Sequence, residues 1–84
     1  MARARAGSFQ MPHYFFNTSN GSPHVDDAGM DLPDLDAARR EAVRYGGSLL
    51  SDDPGMVMQD HGFRIDVVDE AGGHCFAVRV VIED

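Results

Sequence analysis

The chain is 84 residues long and sets fourteen acidic residues against seven arginines, with no lysine and a formal net charge of -7. That length is one domain with a core near the smallest that folds unaided. The surplus of negative charge repels a phosphate backbone and argues against nucleic-acid binding, while the single cysteine, Cys75, excludes an internal disulfide framework.

Cysteine usage fits a reducing compartment. No apolar run approaches the length needed to cross a bilayer, and the first ten residues lack the apolar segment of a secretory signal, so the expected location is the cytoplasm, away from membranes. An acidic chain suits a basic protein partner, although acidity alone also keeps a small protein soluble. Exclusive use of arginine and a preference for aspartate suggest a GC-rich bacterial genome.

Residues 1–10 contain Arg3 and Arg5, no acid and no usable periodicity, and a second methionine follows at Met11. They read as a disordered leader or extension, which leaves residues 11–84 as a single α+β domain. From Pro12 the chain reads as a strand, His13 to Thr18, whose consecutive aromatics Tyr14, Phe15 and Phe16 put bulk on both faces. Asn20-Gly21 is a type I′ hairpin signal and predicts a short return strand over Ser22 to Asp26, closed by Asp26-Asp27-Ala28-Gly29.

The one sustained helical signal lies in residues 34–51. Leu35, Ala38, Ala42, Tyr45 and Leu49 recur at spacings of three and four along one stripe, which Val43 and Leu50 widen. Asp34 stands at the N-cap position after Pro33, and Asp36 precedes Arg39 and Arg40 in the favourable acid-before-base order. Gly46-Gly47 is the weak point, since each glycine costs about 1 kcal/mol inside a helix. The apolar stripe resumes in phase beyond it, so the helix is expected to continue to Ser51 and stop at Asp52-Asp53-Pro54-Gly55.

Residues 52–62 read as a loop in which Met56, Val57 and Met58 plug the end of the sheet. Two strands follow, each with one apolar face: Phe63, Ile65 and Val67 on the first, Phe76, Val78, Val80 and Ile82 on the second. Matching those faces fixes the register up to steps of two; the tightest solution pairs Phe63 with Val80, Ile65 with Val78 and Val67 with Phe76 around a two-residue Ala71-Gly72 loop, and a longer loop including Gly73 is the alternative. The same register sets Arg64 across from Arg79, a like-charge pair that Asp66 would relieve diagonally.

Two hairpins and one helix make a ββαββ unit, a four-stranded, mainly antiparallel sheet with one helix on one face. The other face is expected to show Val68, Cys75, Ala77, Val81 and an aromatic of the first strand, apolar enough to pair, there or at a sheet edge, with a second copy of the chain. A homodimer is therefore expected.

Met11-Pro12-His13-Tyr14-Phe15-Phe16, Leu32-Pro33-Asp34-Leu35 with Ala37-Ala38-Arg39 and Ala42, and Phe63-Arg64-Ile65-Asp66-Val67 with Asp69-Glu70-Ala71-Gly72 together resemble a family of short bacterial proteins known as domain of unknown function 6894, common in rhizobia and their relatives. The resemblance spans Met11 to Ile82 and implies a stand-alone cytoplasmic α+β protein; it brings no catalytic residue, cofactor or substrate. A fainter likeness is to HicB-type antitoxins, in which an aromatic hairpin leads through a glycine turn to an alanine-rich helix like that at Asp34 to Ala42. That likeness implies binding to a small basic toxin. Such proteins usually add a DNA-binding segment after the last strand, whereas this chain stops at Asp84, so only the partner-binding half of the analogy carries over.

Residue types that carry chemistry are scattered. His13, His24, His61 and His74 fall singly, without a paired-histidine helix or a Cys-x-x-Cys element, which argues against a metal. His24 with Asp26 and Asp27 amounts at most to a weak surface site. His74 and Cys75 are neighbours on a strand and point to opposite faces, so they do not form a base and nucleophile pair. Asp66, Asp69 and Glu70 would need a cleft that excludes water to act as acid and base, and Gly46-Gly47 and Gly72-Gly73 lack the setting and the lysine of a phosphate loop. No catalytic, cofactor-binding or metal residue is assigned. The expected function is a small cytoplasmic protein-protein interaction module without catalytic activity; the alternative is an antitoxin-like inhibitor of a small basic ribonuclease, and a hydrolase using an acidic site is a distant third.

Overall fold

The computed structural model describes residues 11–58 and 62–84. The leader assigned to residues 1–10, and His61, lie outside the described residues. The elements, in order, are strand β1 (His13–Ser19), strand β2 (Pro23–His24), strand β3 (Met30–Asp31), helix α1 (Leu35–Asp52), a 3-10 turn (Pro54–Val57), strand β4 (Phe63–Asp69) and strand β5 (His74–Val80). All strand pairs are antiparallel, in the order β2-β1-β4-β5, with β3 also on β1. The α+β class and the single covering helix hold.

Helix α1 begins where the cap chemistry placed it. The Asp34 carboxylate accepts from the Ala37 N–H at 2.8 Å, an interaction worth about 1 kcal/mol at an N-cap. The helix runs through Gly46-Gly47 because Gly46 is buried against the sheet, where a Cβ would come within 3.1 Å of Ile65 Cδ1. Ala38, Ala42 and Gly46, each four residues apart, form a smooth strip on which β4 rests, and the two alanines are 0 % exposed. At the other end the Asp53 N–H donates to the Leu49 carbonyl at 2.9 Å, and the Asp53 carboxylate accepts from Gly55 N–H, which turns the chain into the Pro54–Val57 segment. Met56 and Val57 do pack against the core, but Met58 is 68 % exposed and plugs nothing.

The apolar stripe is narrower than its sequence pattern. Val43 is 62 % exposed and Leu35 36 %, since the sheet meets the helix along the small residues and reaches neither flank nor first turn. Under the strip lie Tyr14 and Phe16 from β1 and Phe63, Ile65 and Val67 from β4, all at most 5 % exposed, with Tyr45 edge-on to Phe16. Burial of these five side chains is the main source of stability, at roughly 1.5–3 kcal/mol for each large apolar group.

The first hairpin departs from its expected form. Ser19 pairs with Pro23, so the loop is the three residues 20–22 with Gly21 at φ 105, and Pro23 stands first in β2, where its missing N–H removes no interior ladder bond. The return strand is only two residues long. It breaks off after His24, and the chain rejoins the same edge of β1 as β3, pairing His13 with Asp31 and Tyr14 with Met30.

The second hairpin has the expected register, with Phe63 opposite Val80, Ile65 opposite Val78 and Val67 opposite Phe76. Its turn is longer than two residues. A bulge between Val67 and Val68 pairs Val68 with His74, and the Asp69 carboxylate accepts from the N–H groups of Ala71 and Gly73 while its carbonyl accepts from Gly72. An aspartate that satisfies the turn from within removes the need for a tight loop. The bulge also swings Cys75 onto the helix side, where it packs against the core beside Phe76; it does not line the open face. The regular strand ends at Val80 and not at Ile82.

Gly46 and Gly47 should answer oppositely to alanine. Nothing lies within 4 Å of a Cβ at Gly47, so Gly47→Ala is expected to raise stability by about 0.5–1 kcal/mol in urea unfolding. Gly46→Ala should gain nothing or lose stability, because Ile65 is fully buried and has little room to yield.

Candidate functional site

Polar groups concentrate at the interrupted edge of β1. Between β2 and β3 the edge of β1 is capped by a side chain: Asp26 Oδ2 accepts from the Phe16 N–H at 3.1 Å, and Asp26 Oδ1 accepts from Ala28 N–H and Gly29 N–H, each at 3.0 Å. Asn17 Oδ1 in turn accepts from the Asp26 N–H at 2.9 Å. One carboxylate therefore replaces the missing strand, satisfying a backbone donor that would otherwise be unpaired. Partial burial alone would push Asp26 up, but the N–H groups of Gly29, Phe16 and Ala28, with the nearby His13 charge, hold it below the ordinary carboxylate value.

Beside it His13 is braced at three points. Its Nδ1 meets the Asp31 carboxylate, its Nε2 lies 2.8 Å from the Ala28 carbonyl, and its backbone N–H donates to Glu70 Oε1 at 3.1 Å. A carbonyl and an ionised carboxylate both accept, so this arrangement favours the imidazole form that carries a proton on each ring nitrogen. First the Asp31 carboxylate and then the Ala28 carbonyl raise His13 above its ordinary value. Gly29, at φ +72, is required here for space as well as for conformation, since a Cβ would lie 2.4 Å from His13 Nε2.

On the helix side of the same edge is a cleft of about 180 Å³, lined by Phe16, Asp26, Gly29, Met30, Glu41 and Tyr45. It is smaller than the roughly 300 Å³ at which ligand pockets begin. Its two acids are engaged elsewhere: Asp26 with the three N–H groups and Glu41 with Arg44, whose Nη2 donates to Glu41 Oε2 at 2.7 Å. The open face of the sheet carries a second cluster. Arg64 Nε donates to both oxygens of Asp66 at 2.9 and 3.0 Å, and His74 Nε2 lies 3.0 Å from Asp66 Oδ1. Asp66 thus offsets the Arg64-Arg79 pair along its own strand and not diagonally. The expectation of an apolar open face is corrected accordingly: Phe15, Val68 and Ala77 share it with Arg64, Asp66, His74 and Arg79.

The residues weighed for chemistry do not converge. Asp66, Asp69 and Glu70 serve three separate purposes, in the face cluster, the turn and the His13 brace. His24 pairs within β2 across from Thr18, and Asp26 faces backbone donors, so the suggested His24, Asp26 and Asp27 site is not assembled. Among the described residues no group of three His, Cys, Asp or Glu is placed to hold a metal. Burial, with Asp69 adding to it, pushes the Cys75 thiol up and keeps it protonated, a poor nucleophile. Sequence reasoning missed the His13 brace and the Asp26 wedge; the signal for the second was Asp26 standing three residues before a glycine, a spacing suited to a side-chain-capped turn.

The brace and the wedge should be visible in the pH dependence of stability. The contribution of His13 is complete below its unfolded value of 6.5 and is lost as pH rises through the higher folded value, so the urea midpoint of the native chain should fall relative to His13→Gln as the pH is raised above 6.5. Asp26 behaves inversely, contributing above its unfolded value of 3.8 and losing that contribution as pH falls through the lower folded value. Asp26→Asn should cost about 1–2 kcal/mol at neutral pH and speed amide exchange at Phe16 and Gly29. No helix among the described residues is long and apolar enough to cross a membrane. No curated protein and no solved structure matches the chain. A family model described as Domain of unknown function (DUF6894) matches residues 13–81, nearly the whole of the described fold, and the chain belongs to that family.

Proposed function

We propose that the chain is a small cytoplasmic protein-protein interaction module without catalytic activity, working as a homodimer or against a basic protein. The observation that carries this reading is unequal coverage of the helix side of the sheet. Helix α1 buries the inward residues of β1 and β4 completely, whereas Cys75, Phe76, Val78 and Val80 on β5 remain half-buried. Arg39 lies over the Phe76 ring at 5.7 Å, which marks the β5 flank of the helix. Val43, one turn further along that flank, is 62 % exposed. Together these residues make an apolar shoulder along the β5 side of the helix. The lack of chemistry is supported by the engagement of both His13 nitrogens, Asp26, Glu41 and Asp66 in structural bonds.

A second reading, inhibition of a small basic ribonuclease, is favoured by one specific feature. Asp31, Asp34, Asp69 and Glu70 gather around the start of β1, where Asp31 and Glu70 bond His13 and the charges of Asp34 and Asp69 reach Tyr14. A concentrated acidic corner speeds and steers encounter with a basic partner. Inhibition of a basic nuclease that fades on adding salt, with Val43 dispensable, would move the assignment to this reading.

The test of the first reading is Val43→Asp. Because Val43 is on the surface, the variant should unfold within about 0.5 kcal/mol of the native chain. Its association, measured as oligomer mass and as retention of any bound protein, should be lost. Unchanged association would make the shoulder ordinary surface.

A further inference from the structure

The two edges of the sheet are not alike. On the β1 side, two-residue strands, Pro23 and the Asp26 wedge leave no continuous row of free backbone groups. The β5 side has no such cover, since β5 pairs only with β4 among the described strands. Its N-terminal end is disturbed by the bulge opposite Val67/Val68, whereas Val78 to Val80 pair regularly with β4 and lead into Val81 and Ile82, which lie beyond the strand and are 41 % and 56 % exposed. Resting on the interaction reading above, we propose that the end of β5 and the residues 81–84 that follow it pair antiparallel with the same segment of a second copy of this chain, about a two-fold axis at Val81.

The register follows from three restrictions. Antiparallel strands that face each other directly point to the same side, so a two-fold axis through the sheet must pass through a residue and pair positions with an even sum. An axis at Ala77 or Val78 would carry the new pairing through the bulge, and an axis at Arg79 would set arginine against arginine. At Val81 the pairing spans residues 78–84 and sets Arg79 opposite Glu83 of the second copy, twice by symmetry, and Val80 opposite Ile82. No other residue-centred axis puts Arg79 directly against an acid. Both helices then lie on the same face of a continuous sheet, and the half-buried Val78 and Val80 lie beside the new junction.

Charge exchange tests this without endangering the fold. Within one chain Arg79 faces Arg64, so Arg79→Glu replaces a repulsive pair by an attractive one and the monomer should be at least as stable as the native protein. Sedimentation of the full chain is expected to give a dimer whose dissociation constant rises about tenfold or more in Arg79→Glu and in Glu83→Arg, and returns toward the native value in the double exchange. A Val81→Cys variant on a Cys75→Ala background should form a covalent dimer on mild oxidation, and Val25→Cys on the same background should not. A monomer at high concentration, or a dimer indifferent to both charge changes, overturns the pairing. Those results leave the interaction reading to be decided by Val43→Asp.

Discussion

Everything in this domain follows from how closely the helix approaches the sheet. Ala38, Ala42 and Gly46 leave almost no side-chain layer on the helix, so Ile65 and its neighbours on β4 reach nearly to the helix backbone. A glycine that weakens the isolated helix by about 1 kcal/mol suits this place because a Cβ there would press on Ile65 Cδ1 at 3.1 Å in a packed core. Close approach also limits width. A helix seated this deep covers two strands, β1 and β4, and leaves β5 partly bare. Among the described residues no second α-helix covers it, and the exposed shoulder is a geometric consequence of the same contact that stabilises the core.

The edges show how a chain with few resources closes what it can. Asp26 stands in for a strand, supplying acceptors where β1 has a free donor, and His13 fastens the loop that carries it to Asp31, the Ala28 carbonyl and Glu70. These bonds need a carboxylate that stays ionised and an imidazole that stays protonated, and the two charges favour each other. The surplus acidity is therefore not spread evenly for solubility. Part of it gathers at the start of β1, where it favours the cationic form of a histidine.

Much of this architecture was legible in the sequence because it rests on local rules. Asp34 after Pro33, the 3.6-residue recurrence from Ala38 to Leu49, and the alternation in Phe63 to Val67 each name an element whatever the rest of the chain does. The β4-β5 register was also readable, since a shift of one residue would turn the apolar set to solvent. What escaped were features decided by tertiary fit. Gly46 looked like a possible stop and is a contact point; Val43 belonged to the stripe by periodicity and lies beyond the reach of the sheet. The bulge that turns Cys75 inward, and the side-chain bonds of Asp26, Asp69 and His13, are set by residues distant in sequence, so no pattern in the neighbourhood of any one of them announces the arrangement.

Membership of the family is silent on what the chain does, and what remains to be read is its surfaces. Here the polar and apolar surfaces divide the work. Polar groups that in another protein would mark an active site are occupied in holding the chain together: Asp26 in an edge, Asp66 in a charge pair, Asp69 in a turn, Cys75 in the core. Apolar groups, which a domain of this size needs for its own stability, are nonetheless left in solvent at Val43, Val81 and Ile82. The interaction proposed above turns on this division, with reactive groups engaged structurally and apolar ones left outside. The β5 shoulder is where that contact would recover the burial that a single helix is too narrow to provide.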